Sequence, residues 1–181
     1  MFLRLTRLFT LIVAFVCISS ASFAISLSEL QNSSLFWRER HSSSVDMYLD
    51  LNSIQSTLYN PPKYTLKFKV YTVDKQDKYI GEGEVTADYD YNKSVEAILK
   101  KNNLSKVPYT SETVMSTLKK AKLKDSGIVN GVNISGIYDF NGKEIYSRNP
   151  IKTAENIKVD ATSSAYIISV KAFKQYYNVT F

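Results

Sequence analysis

Residues 64–73 read YTLKFKVYTV. Tyr64, Leu66, Phe68 and Val70 fall on one side of an extended chain, and Thr65, Lys67, Lys69 and Tyr71 on the other. Alternation of this kind predicts a strand with one buried face. A polar turn, DKQDK at 74–78, follows it, and YIGEGEVTA at 79–87 reads as the returning strand. Two such strands joined by a short turn make an antiparallel pair.

The flanking segments extend the pattern. VDMYLDL at 45–51 alternates too, with Val45, Met47, Leu49 and Leu51 on one face and Asp46, Tyr48 and Asp50 on the other, as in a half-buried strand. Tyr59-Asn60-Pro61-Pro62 breaks the chain, because proline has no N–H to give to a ladder. Beyond residue 92 the period changes. Val95, Ile98 and Leu99 predict a helix over 93–101, and Val114, Met115, Leu118 and Ala121 predict one over 111–123. Thr110 is placed to cap the second, with Tyr109 and Val114 as a hydrophobic staple. VNISGIYDFNGKEIYS at 132–147 predicts a hairpin with strands 132–139 and 143–147. A type I turn over Asp139–Gly142, with Gly142 left-handed, sets Asp139 opposite Lys143 and Ile137 opposite Ile145, and avoids facing Asp139 with Glu144. Tyr166, Val170, Phe173 and Tyr177 share one face of a helix over 164–177. The expected class is α+β: an antiparallel sheet with a C-terminal helix packed on it and a short helical insert.

The N-terminal end has a different character. Arg4 and Arg7 precede the apolar run Leu8–Ile18, and Ser22 and Ala24 supply the small residues of a cleavage site. This predicts a signal peptide over 1–24, its apolar run about half the ~20 residues of a membrane span. The expected location is therefore the periplasm, the cell surface or the exterior, with no integral membrane insertion after cleavage. Residues 25–44, rich in serine, are expected to form a flexible lead, with Trp37 anchoring the start of order. Residues 45–181 are expected to form a single domain. Cys17, the sole cysteine, leaves with the signal, so the domain must hold itself by packing without a disulfide. Without Arg4 and Arg7, 21 basic residues face 17 acidic ones, a net of +4. That mild balance does not indicate a nucleic-acid binder.

The motifs of chemistry are few. Asp88, Asp90, Asn92 and Ser94 have the spacing of a calcium loop, but Lys93 and Leu99 stand where such a loop needs Gly and Glu. A surface turn with Asn92 or Ser94 capping the next helix fits better. His41 is the one histidine and lies in the expected lead. Asp46 and Asp50 share a strand face and read as solvated. No GxSxG, HExxH or glycine-rich phosphate loop occurs. No catalytic, metal or cofactor site is therefore expected. Lys119, Lys120, Lys122 and Lys124 crowd one helix end and are the candidate contact for an anionic macromolecular partner, against the alternative of a solvated helix end. Thirteen tyrosines, all after residue 24, suit a sheet or an interaction surface.

The order of these pieces resembles the surface-adhesin protein E-like family of small exported bacterial proteins. VDMYLDLNSI at 45–54 resembles its early strand, with Asp50, Ser53 and Ile54 at the D-x-x-S-I positions. YDFNGKEIYS at 138–147 resembles its hairpin, and residues 157–177 its closing segment and C-terminal helix. The cysteines frequent in that family are absent, and the lysine-rich stretch 93–124 has no counterpart in it. The resemblance implies an antiparallel sheet with a packed C-terminal helix, binding to host or matrix macromolecules, and dimer formation. The leading functional reading is an exported, non-catalytic interaction domain. The alternatives are a secreted or periplasmic enzyme with no recognisable motif, and a small outer-membrane barrel suggested by Phe173, Tyr177, Val179 and Phe181.

Overall fold

The computed structural model describes residues 25–101, 116, 125–146 and 153–181. Among them lie the strands β1 (Phe36–His41), β2 (Val45–Asp50), β3 (Gln55–Asn60), β4 (Lys63–Asp74), β5 (Tyr79–Asp90), β6 (Asp125–Asp139), β7 (Glu144–Tyr146) and β8 (Thr153–Asp160). The helices are α1 (Leu27–Asn32), α2 (Val95–Lys101) and α3 (Ser164–Tyr177). The class is α+β: one antiparallel sheet curled into a half-barrel, with α3 packed against one face. The strand path is β1-β2-β4-β5-β6-β7, with β3 also on β4 and β8 also on β6.

The alternating stretch at 64–73 lies within the twelve-residue β4, paired along its whole length with β5 from Lys63↔Asp90 to Asp74↔Tyr79. Its other edge is divided. β2 covers Val70–Asp74 and β3 covers Lys63–Lys67. The division falls at the 3-10 turn Leu51–Ser53. Asp50 accepts from the Asn52 N–H there at 2.9 Å, and the Ser53 hydroxyl accepts from the Lys69 N–H at 2.7 Å, in the gap between the two partner strands. Ser53 thus satisfies a main-chain donor that would otherwise be orphaned. The D-x-x-S-I positions, Asp50 to Ile54, are this edge-splitting turn.

The two faces of the sheet carry two cores. Leu66, Phe68, Val85, Tyr89 and Ile128 face α3, which contributes Tyr166, Ile168, Ala172 and Phe173. Ser163 caps α3 by accepting from the Tyr166 N–H at 3.2 Å, and Asn178 ends it in the left-handed region at φ 54°. The expected helix over 164–177 is thereby present, and its buried stripe includes Ser169 as well. Residues 164–177 being helical, Phe173 and Tyr177 do not alternate along a strand, contrary to the pattern that suggested a barrel. At one end of this face Tyr64, Tyr89, Tyr91, Phe173, Tyr177 and Phe181 form an aromatic cluster, with Phe173 within 5.2 Å of Tyr64, Tyr89, Tyr177 and Phe181.

The second core corrects the reading of residues 25–44. They are not a loose lead but α1 and β1. Ser26 and Glu29 form a capping box, with the Glu29 N–H bonded to Ser26 Oγ at 3.2 Å and the Ser26 N–H to Glu29 Oε2 at 3.3 Å. Leu30 is buried with Tyr48, Tyr71, Val73 and Ile80, and Ile25, Leu27 and Phe36 pack against them. The Leu27 N–H donates to the Phe140 carbonyl at 3.0 Å. Trp37 does anchor the segment, against the first core, with the Lys171 ammonium 5.7 Å from its ring centre. β2 is consequently covered on both faces rather than half-buried. Asp46, expected to be solvated, is fully buried and pairs with Lys75 at 2.8 Å.

Other expectations need smaller corrections. β3, the first half of β6 and β8 were not foreseen as strands. The hairpin turn has Gly142 at φ 83°, and the Asp139 N–H bonds to the Lys143 carbonyl at 2.8 Å, as expected. A bulge then moves Ile137 opposite Tyr146 instead of Ile145. Ser94 caps α2 through the Ala97 N–H at 3.1 Å, so the calcium-like spacing is a capping turn. Gly127, at φ 71°, lies against this turn, where a β-carbon would come within 2.9 Å of the Asp90 carbonyl and closer still to Lys93 Cβ. The signal peptide expected over 1–24 lies outside the described residues, as does the helix expected over 111–123 apart from Ser116, which is helical.

Candidate functional site

Along the face covered by α3, residue size changes with position. At the Tyr64–Tyr89 end, aromatic rings fill the space under the C-terminal half of α3. Toward the other end of the same strands, β5 presents Gly81 and Gly83, and the space is left empty. The result is a cavity of about 390 Å³ between the sheet and the N-terminal half of α3. That volume falls at the small end of the range of small-molecule pockets.

Each wall follows from strand or helix parity. Phe68, Val70 and Thr72 come from β4, Met47 from β2, and Val85 from β5. Val132, Ile134 and Ile137 come from β6, and Ala165, Ile168 and Ser169 from α3. The β6 residues stay on one face despite the odd step from 134 to 137, because a bulge beside Glu82–Gly83 inserts one residue. Apolar surface dominates. Among the described residues Glu82 is the one charged residue bordering the cavity, and as the residue between Gly81 and Gly83 it turns its carboxylate to the opposite face, where it is bonded to Lys69 at 2.8 Å.

The glycines carry information of their own. Glycine inside a strand costs stability through backbone entropy and lost packing. It is required where a β-carbon would collide or where φ is positive. Neither applies here. A β-carbon on Gly81 would meet its nearest neighbour at 3.9 Å and one on Gly83 at 3.7 Å, both ordinary contact distances. What their lack of side chains creates is the empty volume.

The polar side chains of the cavity among the described residues are Thr72, Tyr79, Asn130 and Ser169, and of these Asn130 and Ser169 are buried. Asn130 is 5% exposed, between Ile128 and Val132 on one face of β6. Its Nδ2 donates to Ser169 Oγ at 3.4 Å, and its Oδ1 has no hydrogen-bond partner. Ser169 is held in place from the other side, since the Tyr89 hydroxyl donates to its carbonyl at 2.9 Å. Burial pushes the Tyr89 hydroxyl well above the usual tyrosine range.

Lys119, Lys120, Lys122 and Lys124 lie outside the described residues. His41 stands at the end of β1 in register with Asp46. Among the described residues no group of three or more His, Cys, Asp or Glu comes together to hold a metal ion, and no helix is long and apolar enough to cross a membrane. The cavity was missed in the sequence. Its one trace there is Gly81-Glu82-Gly83, two glycines on the same face of a strand.

Fold and site together define a half-barrel that holds a small apolar cavity under its C-terminal helix. Compared with protein-family models, curated proteins and solved structures, the chain matches none.

Proposed function

We propose that this chain is a non-catalytic binding domain that takes an apolar small molecule into the cavity between the sheet and α3. The observation that carries this reading is the pair Gly81 and Gly83. Both sit where a side chain would fit and would strengthen the strand, yet both leave the cavity open. The apolar walls supply the driving force, roughly 25 cal/mol for each Å² of apolar ligand surface removed from water.

The test is titration of the purified protein with a fluorescent apolar probe such as N-phenyl-1-naphthylamine. The wild type should bind it with saturable enhancement. Gly83→Val should abolish the enhancement while raising the melting temperature, because the same side chain fills the cavity and favours the strand. Gly131→Ala is the control. Gly131 lies on the opposite face of β6, where a β-carbon has 3.8 Å of clearance, and probe binding should persist. Equal probe binding by wild type and Gly83→Val would refute the reading.

A second reading keeps the adhesin-like binding of host or matrix macromolecules. Ile145 and Tyr146 support it, being exposed on β7 at one end of the strand path. An exposed edge of this kind can add a partner's strand, including one from a second copy. Light scattering of wild type and Ile145→Lys separates these outcomes: a dimer dissolved by the lysine supports edge pairing between copies.

A further inference from the structure

We infer that the cavity selects a neutral amphiphile, an apolar body bearing one hydroxyl group, and that Asn130 and Ser169 together recognise that hydroxyl. The inference rests on the cavity reading above and adds the chemistry of the ligand.

Asparagine is a poor strand residue, and its position on β6 is flanked on the same face by Ile128 and Val132. An apolar residue there would complete the first core. Instead the buried amide makes one long contact, Nδ2 to Ser169 Oγ at 3.4 Å, and leaves Oδ1 unspent. A buried polar atom without a partner is costly, and a ligand that satisfies it recovers that cost on binding. In this arrangement Ser169 Oγ accepts, so its own hydroxyl hydrogen remains to be given. Turning the amide over reverses the roles: Ser169 then donates to Oδ1 and the amide N–H₂ is left. Either way the pair retains donor and acceptor capacity together. A hydroxyl, which both donates and accepts, matches it. Rotation about the last torsion of Asn130, a soft one, turns an end of the buried amide toward the cavity.

Charge narrows the class further. A carboxylate head would need a cation or several N–H donors to repay its desolvation. Among the described residues of the lining there is no Lys, Arg or His. A fatty acid anion is therefore disfavoured and a fatty alcohol favoured. A pure hydrocarbon would leave the amide as poorly satisfied as it is in the empty cavity.

The experiment displaces the fluorescent probe with three ligands of equal chain length: 1-decanol, 1-methoxydecane, which can only accept, and decanoate. Wild type should release the probe at about five- to tenfold lower concentration of decanol than of the methyl ether, the range of one net hydrogen bond. Decanoate should be the weakest. In Asn130→Val/Ser169→Ala, which removes both polar groups and keeps the strand and helix preferences, decanol and the ether should become equivalent. The probe itself should still bind. Equal displacement by decanol and ether in wild type, or tighter binding of decanoate, overturns the inference. If the probe still binds wild type and is lost in Gly83→Val, the cavity reading survives that failure. If the probe does not bind wild type at all, both fall together.

Discussion

Tyr89 of β5 donates its hydroxyl hydrogen to the main-chain carbonyl of Ser169 in α3, 2.9 Å away. This bond ties the middle of the C-terminal helix to the sheet, between the aromatic cluster and the empty cavity. Tyr89→Phe keeps the ring and removes the bond, so it should cost ~0.5–1.5 kcal/mol. Tyr89→Ala also removes a buried ring and should cost ~3–5 kcal/mol. Urea unfolding of the three proteins gives both values. A Phe variant as unstable as the Ala variant would show that the bond, not the ring, holds α3.

Leu30 is 1% exposed beneath Tyr48, Tyr71, Val73 and Ile80. Leu30→Ala should cost ~2–5 kcal/mol through the space it leaves. A flexible lead would show no measurable change. Chemical denaturation distinguishes the two outcomes in a single comparison.

Phe68 and Lys67 are neighbours on opposite faces of β4. Phe68 is 1% exposed and Lys67 stands at the surface, 3.6 Å from Glu84. Phe68→Ala should cost ~3–5 kcal/mol. Lys67→Ala removes only an exposed ion pair and should change stability by less than ~0.5 kcal/mol. Similar losses for both would mean that the faces of β4 are assigned the wrong way round.

High pH should unfold the domain. Burial, with the hydrogen bond to Glu96 adding to it, pushes Tyr91 up to about 12, and burial pushes Tyr89 and Tyr71 up as well. A group whose pKa is raised by folding stabilises the fold below its unfolded value, near 10 for tyrosine, and loses that contribution as pH rises through the folded value. Stability should therefore be flat from neutrality to about pH 10 and fall above it, through about 12 where Tyr91 titrates and beyond as the more strongly raised Tyr71 and Tyr89 ionise. Circular dichroism and tyrosinate absorbance, followed together, should show ionisation of the buried tyrosines coinciding with loss of structure. Full ionisation with the sheet intact would contradict this.

How far the sequence discloses this molecule depends on where each strand lies. β4 is readable because its two sides meet different environments, so Phe68 and Lys67 differ in kind. The helix at 164–177 is readable from the spacing of Tyr166, Val170, Phe173 and Tyr177. β8 is not, because its middle, from Glu155 to Lys158, is exposed on both faces and shows no period. α1 escapes for another reason. Its capping box, Ser26 and Glu29, is a genuine start signal, but serines crowd the segment around it and the apolar surface it covers lies on distant strands. The first half of β6 carries Ser126 and Asn130 at buried positions, which hides its alternation. The cavity was the hardest feature to see, because empty space leaves no residue to mark it beyond two glycines.

The bond from Leu27 to the Phe140 carbonyl, with α1 laid across the second core, has a geometric consequence. It fixes the chain near Ile25 behind the sheet, on the side away from α3. Anything joined ahead of Ile25, whether a purification tag, a sensor surface or a supporting bead, stands at the back of the half-barrel. A domain immobilised through that end turns its α3 face away from the support, and all copies on the surface share one orientation.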